Sequence, residues 1–245
     1  YVGYNLRQLL ALPSSQSATW TASGSMPSGI SLSRGGLISG RPSRAGNYTV
    51  TVTATTSASR TEFTFNFVIN ARPEKPTIRL SSFPVAVVDE AYSCAITTTG
   101  TAPITITVTG LPEGLTFSES TAAISGTPTK AGTYNVRITA ENIATQLDNR
   151  PVTRTLRLTV RAQPPEIEDP GTLPDGIMGE PYSNIQFKTS KGTEPIVWRI
   201  SGQPSGMRMD TSGLLSGTPS RAGRFTMTVR ASNSGGNTTL RVPIT

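Results

Sequence analysis

A three-part turn motif occurs three times along the chain, and its spacing constrains the fold more than any other feature. The middle copy consists of Pro112-Glu113-Gly114, then Ile124-Ser125-Gly126-Thr127-Pro128, then Ala131-Gly132-Thr133-Tyr134. The Ser-Gly pairs of successive copies end at Gly40, Gly126 and Gly217. They lie roughly 90 residues apart, which is far longer than a solenoid repeat and similar to a small domain. The sequence therefore predicts three tandem domains.

The prolines and glycines of the motif have the composition of tight turns. Pro-x-Gly favours a turn because proline presets φ and glycine accepts positive φ. The glycines of the Ser-Gly and Ala-Gly pairs are expected where a side chain would strain the backbone. We therefore assign a structural role to Pro27, Gly29, Gly40 and Gly46, to Pro112, Gly114, Gly126 and Gly132, and to Pro204, Gly206, Gly217 and Gly223.

Directly after each copy, apolar residues alternate with polar ones. In the stretch from Tyr48 to Ala54, Val50 and Val52 lie between threonines, and residues 134–140 and 225–231 follow the same pattern. A period of two residues is typical of a β-strand with one packed face and one wet face. The chain is therefore predicted to be all-β.

Histidine is absent from the chain, and cysteine occurs once, at Cys94. Without histidine, neither Ser-His-Asp nor Cys-His catalysis can be built, and no metal can be held by histidine. A single cysteine forms no intrachain disulfide. Cys94 lies on an alternating stretch, which favours a buried small apolar side chain, with a reactive thiol as the alternative. The composition predicts that the chain is not an enzyme, and it indicates no cofactor.

The formal net charge of the chain is +7, with a pI near 10.0. The arginines that supply most of this charge are scattered singly, without Lys/Arg runs or interleaved aromatics, so no nucleic-acid partner is predicted. No segment approaches the roughly 18 apolar residues of a membrane span, so no membrane insertion by this fragment is predicted.

We predict domains at residues 1–71, 74–161 and 164–245. The two linkers, residues 71–76 and 161–165, overlap the ends of these domains; both are short and contain proline, which favours semi-rigid connections and an extended rod. Residue 1 falls inside the first repeat, so the first domain is expected to lack its first strand. The middle domain is expected to carry a long loop at 141–153.

The triplicated motif resembles the bacterial "putative immunoglobulin" repeat family, which is related to dystroglycan-type cadherin-like domains. The resemblance rests on Leu111-Pro112-Glu113-Gly114-Leu115, on the Ser-Gly-Thr-Pro and Ala-Gly-Thr-Tyr segments that follow it, and on their equivalents in the other repeats. It implies three tandem immunoglobulin/cadherin-like β-sandwich domains of about seven strands each, found in large secreted or surface-anchored proteins. Such repeats serve as stalks or adhesive arrays, and the family has no shared catalytic residues.

Two groups of residues are candidates for binding sites. Glu166, Glu168 and Asp169 follow the second linker, where cadherin-type calcium sites gather carboxylates; a solvated acidic turn is the alternative, and no metal site is predicted. Gln146, Asp148 and Asn149 lie in the long loop of the middle domain, and long sandwich loops often carry function. A tolerated insertion is the alternative for that loop.

The arginines of the middle repeat form the third candidate. Arg157 and Arg161 share the outward parity of their strand, and Arg137 has the outward parity of the preceding strand. If these strands are neighbours, the three arginines form a basic stripe that is suited to sulfate or carboxylate groups of a glycan. A solubilising outer face is the alternative.

Taken together, these patterns predict a non-enzymatic, extracellular spacer or adhesive repeat region of a bacterial surface protein. Its expected partners are a host or cell-surface glycan or protein, and neighbouring repeats of the same chain. A carbohydrate-binding module array and the accessory domains of a cell-surface hydrolase are the competing classes. A module array would need exposed aromatic side chains, whereas most aromatics here have inward parity.

Overall fold

A computed structural model describes residues 1–12 and 17–245 of the chain. Apart from one short helix, the regular secondary structure of the described residues consists of β-strands, which confirms the all-β prediction. Among them, no helix has the length and apolar character needed to cross a bilayer.

The first repeat forms two three-stranded sheets, with strand orders β1-β4-β3 and β2-β5-β6. Its core contains Trp20, Val50, Val52 and Ala54. The alternation seen in the sequence therefore places Val50 and Val52 inward and the threonines next to them on the opposite side of β5. The strands are β1 (Leu6–Leu9), β2 (Thr19–Gly24), β3 (Ile30–Leu32), β4 (Leu37–Gly40), β5 (Gly46–Thr55) and β6 (Arg60–Ile69).

The middle repeat has a four-stranded sheet, β11-β14-β15-β8, a three-stranded sheet, β12-β13-β9, and a short β10-β7 pair. Val136, Ile138 and Ile124 are fully buried, and Cys94 is buried as predicted. The elements are β7 (Thr77–Ile78), β8 (Ala86–Val87), β9 (Tyr92–Ala95), β10 (Thr98–Thr99), β11 (Thr105–Thr109), β12 (Leu115–Ser118), β13 (Ala123–Gly126), β14 (Gly132–Glu141), α1 (Ile143–Asp148) and β15 (Val152–Arg161).

The third repeat has a similar plan, with two three-stranded sheets, β17-β21-β20 and β19-β22-β23, and a short β16-β18 pair. Side chains from both larger sheets, such as Leu215 and Val229, share one hydrophobic core, as expected for a β-sandwich. The strands are β16 (Glu166–Ile167), β17 (Ile185–Gln186), β18 (Thr189–Lys191), β19 (Val197–Ser201), β20 (Met207–Met209), β21 (Leu214–Gly217), β22 (Phe225–Asn233) and β23 (Gly236–Ile244).

By packing, the chain divides into two compact units, and the boundary passes through the middle repeat. The first unit consists of residues 1–78, 98–105 and 140–152. The second consists of residues 79–97, 106–139 and 153–245. The first unit thus contains the first repeat and part of the middle one, and the second contains the remainder.

Two glycines of the motif pack against each other at the end of the β12–β13 hairpin. Gly114 has φ +88° and Gly126 has φ +136°, and a Cβ on Gly126 would collide with the carbonyl oxygen of Gly114. The same carbonyl accepts the backbone N–H of Thr127 at 3.0 Å. Corresponding glycines make the corresponding approach in the first and third repeats. The repeated glycines therefore meet both a conformational and a steric requirement.

The segment 141–153, which the sequence predicted as a long loop, contains the short helix α1. Asn142 is its N-cap: the side-chain oxygen accepts the N–H groups of Ala144 and Thr145, and the Thr145 hydroxyl accepts the N–H of Asn142. Asn149 ends the helix in the left-handed conformation, with φ 51°. The capping residues at both ends account for a helix in a segment expected to be irregular.

Candidate functional site

Each acidic residue after the second linker either makes a contact of its own or is exposed to solvent. Glu166 forms an exposed ion pair with Lys191, with 3.4 Å between Oε2 and Nζ, and Asp169 accepts the N–H of Gly171 at 2.9 Å. Glu168 is exposed. Across residues 1–12 and 17–245, the structure brings together no group of three or more acidic or cysteine side chains that could hold a metal ion.

The three loop candidates all belong to α1 and its C-cap. Asp148 forms an ion pair with Lys75, with 2.9 Å between Oδ2 and Nζ, and this contact lowers the pKa of the Asp148 carboxyl. Gln146 and Asn149 are both exposed. The Asp148–Lys75 pair joins the helix to the linker that precedes the middle repeat.

Asn142 makes a second and more extensive connection to the same linker. Its side-chain Nδ2 donates to the carbonyl oxygen of Glu74 at 2.7 Å and to that of Thr101 at 2.8 Å. Thr101 in turn accepts the N–H of Glu74 on its hydroxyl at 2.8 Å and donates its own N–H to the Glu74 carbonyl at 3.1 Å. Asn142 is only 3% exposed, and all of its side-chain polar atoms are paired. We call Glu74, Thr101 and Asn142 the first linker clamp.

The third repeat contains the same arrangement, although it has no helix at this position. Asn233 Nδ2 donates to the carbonyl oxygens of Gln163 at 2.7 Å and Thr193 at 2.8 Å. The Thr193 hydroxyl accepts the N–H of Gln163 at 2.8 Å, and the Thr193 N–H donates to the Gln163 carbonyl at 3.0 Å. Asn233 also accepts the N–H groups of Gly235 and Gly236. We call Gln163, Thr193 and Asn233 the second linker clamp.

Sequence reasoning missed both clamps, although a signal was present. Thr101 and Thr193 each lie two residues before a proline, and Asn142 and Asn233 each lie two residues after the alanine that ends the alternating stretch. The first repeat has Thr56 at the corresponding position, and its hydroxyl accepts backbone N–H groups of its own turn at 3.0 and 3.2 Å. Threonine lacks the amide donors that reach a linker.

The middle-repeat arginines lie on neighbouring strands. β14 carries Arg137, and β15 carries Arg157 and Arg161. All three are exposed, whereas Val136 and Leu158 beside them are fully buried. We call these three arginines the middle arginine stripe.

The third repeat carries a second arginine group, which sequence parity alone did not reveal. Arg199 on β19 lies directly opposite Arg230 on β22, and Arg241 on β23 lies opposite Thr228, so that it is diagonal to Arg230. All three arginines are exposed. We call Arg199, Arg230 and Arg241 the arginine face.

The third repeat also contains an apolar cavity of about 140 Å³, whose lining includes Tyr182, Met207 and Phe225. Its charged lining residue is Arg221, and the Tyr182 hydroxyl donates to the Pro174 carbonyl at 2.8 Å. Burial raises the pKa of Tyr182. The lining residues contain no nucleophile paired with a base, so this cavity is not organised for covalent or acid–base catalysis.

The sequence is similar to part of a known bacterial adhesin. The "Serine-rich adhesin for platelets" of Staphylococcus aureus strain MRSA252 is 32% identical over 168 residues, which cover 67% of this chain and 12% of the adhesin. The corresponding adhesin of strain USA300 is 31% identical over 168 residues and is covered to 7%. The chain therefore spans a small part of the curated relatives that it matches.

Solved structures with tandem immunoglobulin domains resemble the whole chain. The I67–I69 fragment of the titin I-band is 15% identical, with a TM-score of 0.52 over 100% of this chain and 93% of the titin chain. This likeness concerns the fold alone. The sequence model of the family "Putative Ig domain" matches residues 5–71, 76–161 and 179–245. The chain therefore belongs to the "Putative Ig domain" family and contains three of its repeats.

Proposed function

We propose that this chain is a non-catalytic repeat region of a bacterial cell-surface protein, and that it spaces an adhesive element from the cell. Family membership and the similarity to a staphylococcal adhesin support this assignment. The three domains are proposed to span residues 1–71, 74–161 and 164–245. An extracellular location is part of the proposal.

The two linker clamps are the observation that carries the spacer function. A spacer must keep its linkers from rotating freely, and proline content alone restrains only the linker backbone. Each clamp adds hydrogen bonds from both a side-chain amide and a threonine to one linker residue, Glu74 or Gln163. Because each hydrogen bond contributes about 1 kcal/mol net to stability, each clamp restrains its linker residue substantially.

The second linker shows how little free chain remains. β15 ends at Arg161 and Gln163 is already clamped, so Ala162 is the residue between them. Ala162 is itself buried, at 6% exposure. The chain thus passes from the last strand of the middle repeat to the clamp of the third repeat with almost no flexible segment.

The surface gives less support to a carbohydrate-binding module array. Such modules present aromatic rings to sugars, but Trp20 and Trp198 are both buried in cores. Among the described residues, Tyr1 and Phe63 are the exposed aromatics, at 38% and 36%. The middle arginine stripe remains the proposed polar contact for a glycan, and Gln146 on α1 and Asn149 at its C-cap remain proposed secondary contacts.

A display experiment tests the spacer function. Residues 1–245 are anchored to a bacterial surface at their C-terminal end and carry a biotin-acceptor tag at their N-terminal end. Capture of micrometre-sized streptavidin beads is then divided by the binding of soluble streptavidin. We expect the natural chain to give a higher ratio than Asn142→Ala/Asn233→Ala, because loss of the clamps frees the linkers.

A matched variant controls for the loss of asparagine. Asn135→Thr/Asn237→Thr changes two exposed strand residues outside both clamps, and it should capture beads as well as the natural chain. An equal ratio for the natural chain, the clamp variant and a Gly/Ser linker of the same length would refute the spacer function.

A further inference from the structure

We propose that the arginine face of the third repeat is a binding site for a sulfated polysaccharide. This inference rests on the proposed cell-surface function and gives the chain a contact with a partner of its own. It adds a site on a different repeat from the middle arginine stripe.

The sheet register brings the three arginines together on one surface. Arg199 and Arg230 are directly paired across β19 and β22, a relation that places Cβ atoms about 4.5–5.5 Å apart. Arg241 is the diagonal neighbour of Arg230 on the other side, at about 7–8 Å. Their chain neighbours Trp198 and Val229 are buried, so the arginines project away from the core.

No acidic side chain compensates this charge within the sheet. Strands β19, β22 and β23 contain neither aspartate nor glutamate. The ion pairs found among the described residues, Arg60–Glu62, Lys75–Asp148 and Lys191–Glu166, involve other parts of the chain. The face is therefore a concentrated and unneutralised positive patch.

The fold does not require arginine at these positions. In the first repeat, Thr21 pairs with Thr53 and Thr51 pairs with Thr64. Thr21, Thr53 and Thr64 thus occupy the places of Arg199, Arg230 and Arg241. Like charges placed directly opposite each other destabilise a sheet, so the Arg199–Arg230 pair is unfavourable for folding.

The chemistry of the face suits the closely spaced oxyanions and hydroxyls of a sulfated polysaccharide. Guanidinium groups bind oxyanions through two parallel hydrogen bonds, and three clustered guanidinium groups suit a polymer with closely spaced anionic groups. Ser201, Thr228 and Thr239 lie in the same rows and offer hydroxyls to sugar oxygens. The face lacks exposed aromatic rings for stacking bases, which disfavours single-stranded nucleic acid.

Binding of residues 1–245 to immobilised heparin, hyaluronan, dextran and duplex DNA tests the proposal at physiological salt. Heparin represents a sulfated polysaccharide, hyaluronan a carboxylated one and dextran a neutral one. We expect binding to heparin, and we expect Arg199→Thr/Arg230→Thr/Arg241→Thr to weaken it by about tenfold or more. Because threonine occupies all three positions in the first repeat, this variant should fold normally, as checked by circular dichroism.

A second triple variant separates the face from net charge. Arg208→Thr/Arg221→Thr/Arg224→Thr removes the same charge from exposed positions outside the sheet face, and it should weaken heparin binding much less. A gain-of-function variant, Thr107→Arg/Thr139→Arg, introduces arginines at the corresponding positions of the middle repeat and should tighten binding.

Four results would overturn the proposal: no heparin binding, equal losses for the two triple variants, equal binding to hyaluronan, or equal binding to DNA. None of these would affect the bead-capture ratio, so failure of this inference is distinguishable from failure of the spacer function.

Discussion

Removing the first linker clamp should both destabilise the middle repeat and release its linker. Asn142→Ala deletes two donated bonds, of 2.7 and 2.8 Å, and two accepted bonds, of 3.0 and 3.3 Å, at a residue that is 3% exposed. Each bond is worth about 1 kcal/mol net, and buried groups left unpaired add to the loss. Glu74 keeps its bond from the Thr101 N–H, which limits the damage. We expect a loss of about 2–4 kcal/mol.

Asn142→Thr divides this effect into its two parts. Thr56 shows that a threonine hydroxyl at this position accepts backbone N–H groups of the turn. It cannot donate to both Glu74 and Thr101. We expect Asn142→Thr to recover roughly half of the stability lost in the alanine variant while leaving the linker as free as alanine does.

Urea unfolding followed through the Cys94 thiol reports locally on the repeat that contains Asn142, so that the whole chain need not be treated as two-state. Native-state hydrogen exchange of the Thr101 amide reports on the clamp itself. The exposed-strand variant Asn135→Thr is the control. A stability change below about 0.5 kcal/mol for Asn142→Ala, with unchanged exchange at Thr101, would refute the reasoning.

Three further predictions concern the middle and first repeats. Gly126→Val should lower the free energy of unfolding of the middle repeat by at least about 2 kcal/mol. Gly35→Val, at an exposed position without close neighbours, should change the free energy of unfolding of the first repeat by no more than about 0.5 kcal/mol, as judged from the urea midpoint. Similar losses in the two variants would show that the motif glycine is not required. The Cys94 thiol should react with a thiol reagent only as fast as its repeat unfolds, because it is buried, and rapid labelling of the native chain would contradict this. Lys75 lowers the pKa of Asp148 in the folded chain, so the pair stabilises the fold at pH values above the unfolded pKa and this contribution is lost as pH falls through the folded pKa. The difference in urea midpoint between the natural chain and Asp148→Asn should therefore shrink from pH 7 to about pH 2. A difference that stays constant with pH would contradict this.

The sequence was most informative where local rules decide the structure. Alternation from Tyr134 to Ala140 predicted the inner and outer faces of β14, because side chains in a strand point to opposite sides. The glycines at 114 and 126 were recognised as structural, because turn chemistry is local.

The clamps were missed because they depend on distant residues. Asn142 lies 68 positions from Glu74 and 41 from Thr101, and the local patterns around these residues do not show that they meet. α1 was missed because a helix of six residues is too short to show a helical period. The pairing of Arg199 with Arg230 required the strand register, which parity does not provide.

Antibody labelling of intact producing cells tests the central claim most directly. Antibodies raised against residues 1–245 should label unpermeabilised cells, and trypsin added to intact cells should remove the label. A cytoplasmic protein detected in the same samples serves as the control for lysis. Labelling that appears only after permeabilisation, and that resists trypsin on intact cells, would contradict the assignment of these immunoglobulin-like repeats to the cell surface.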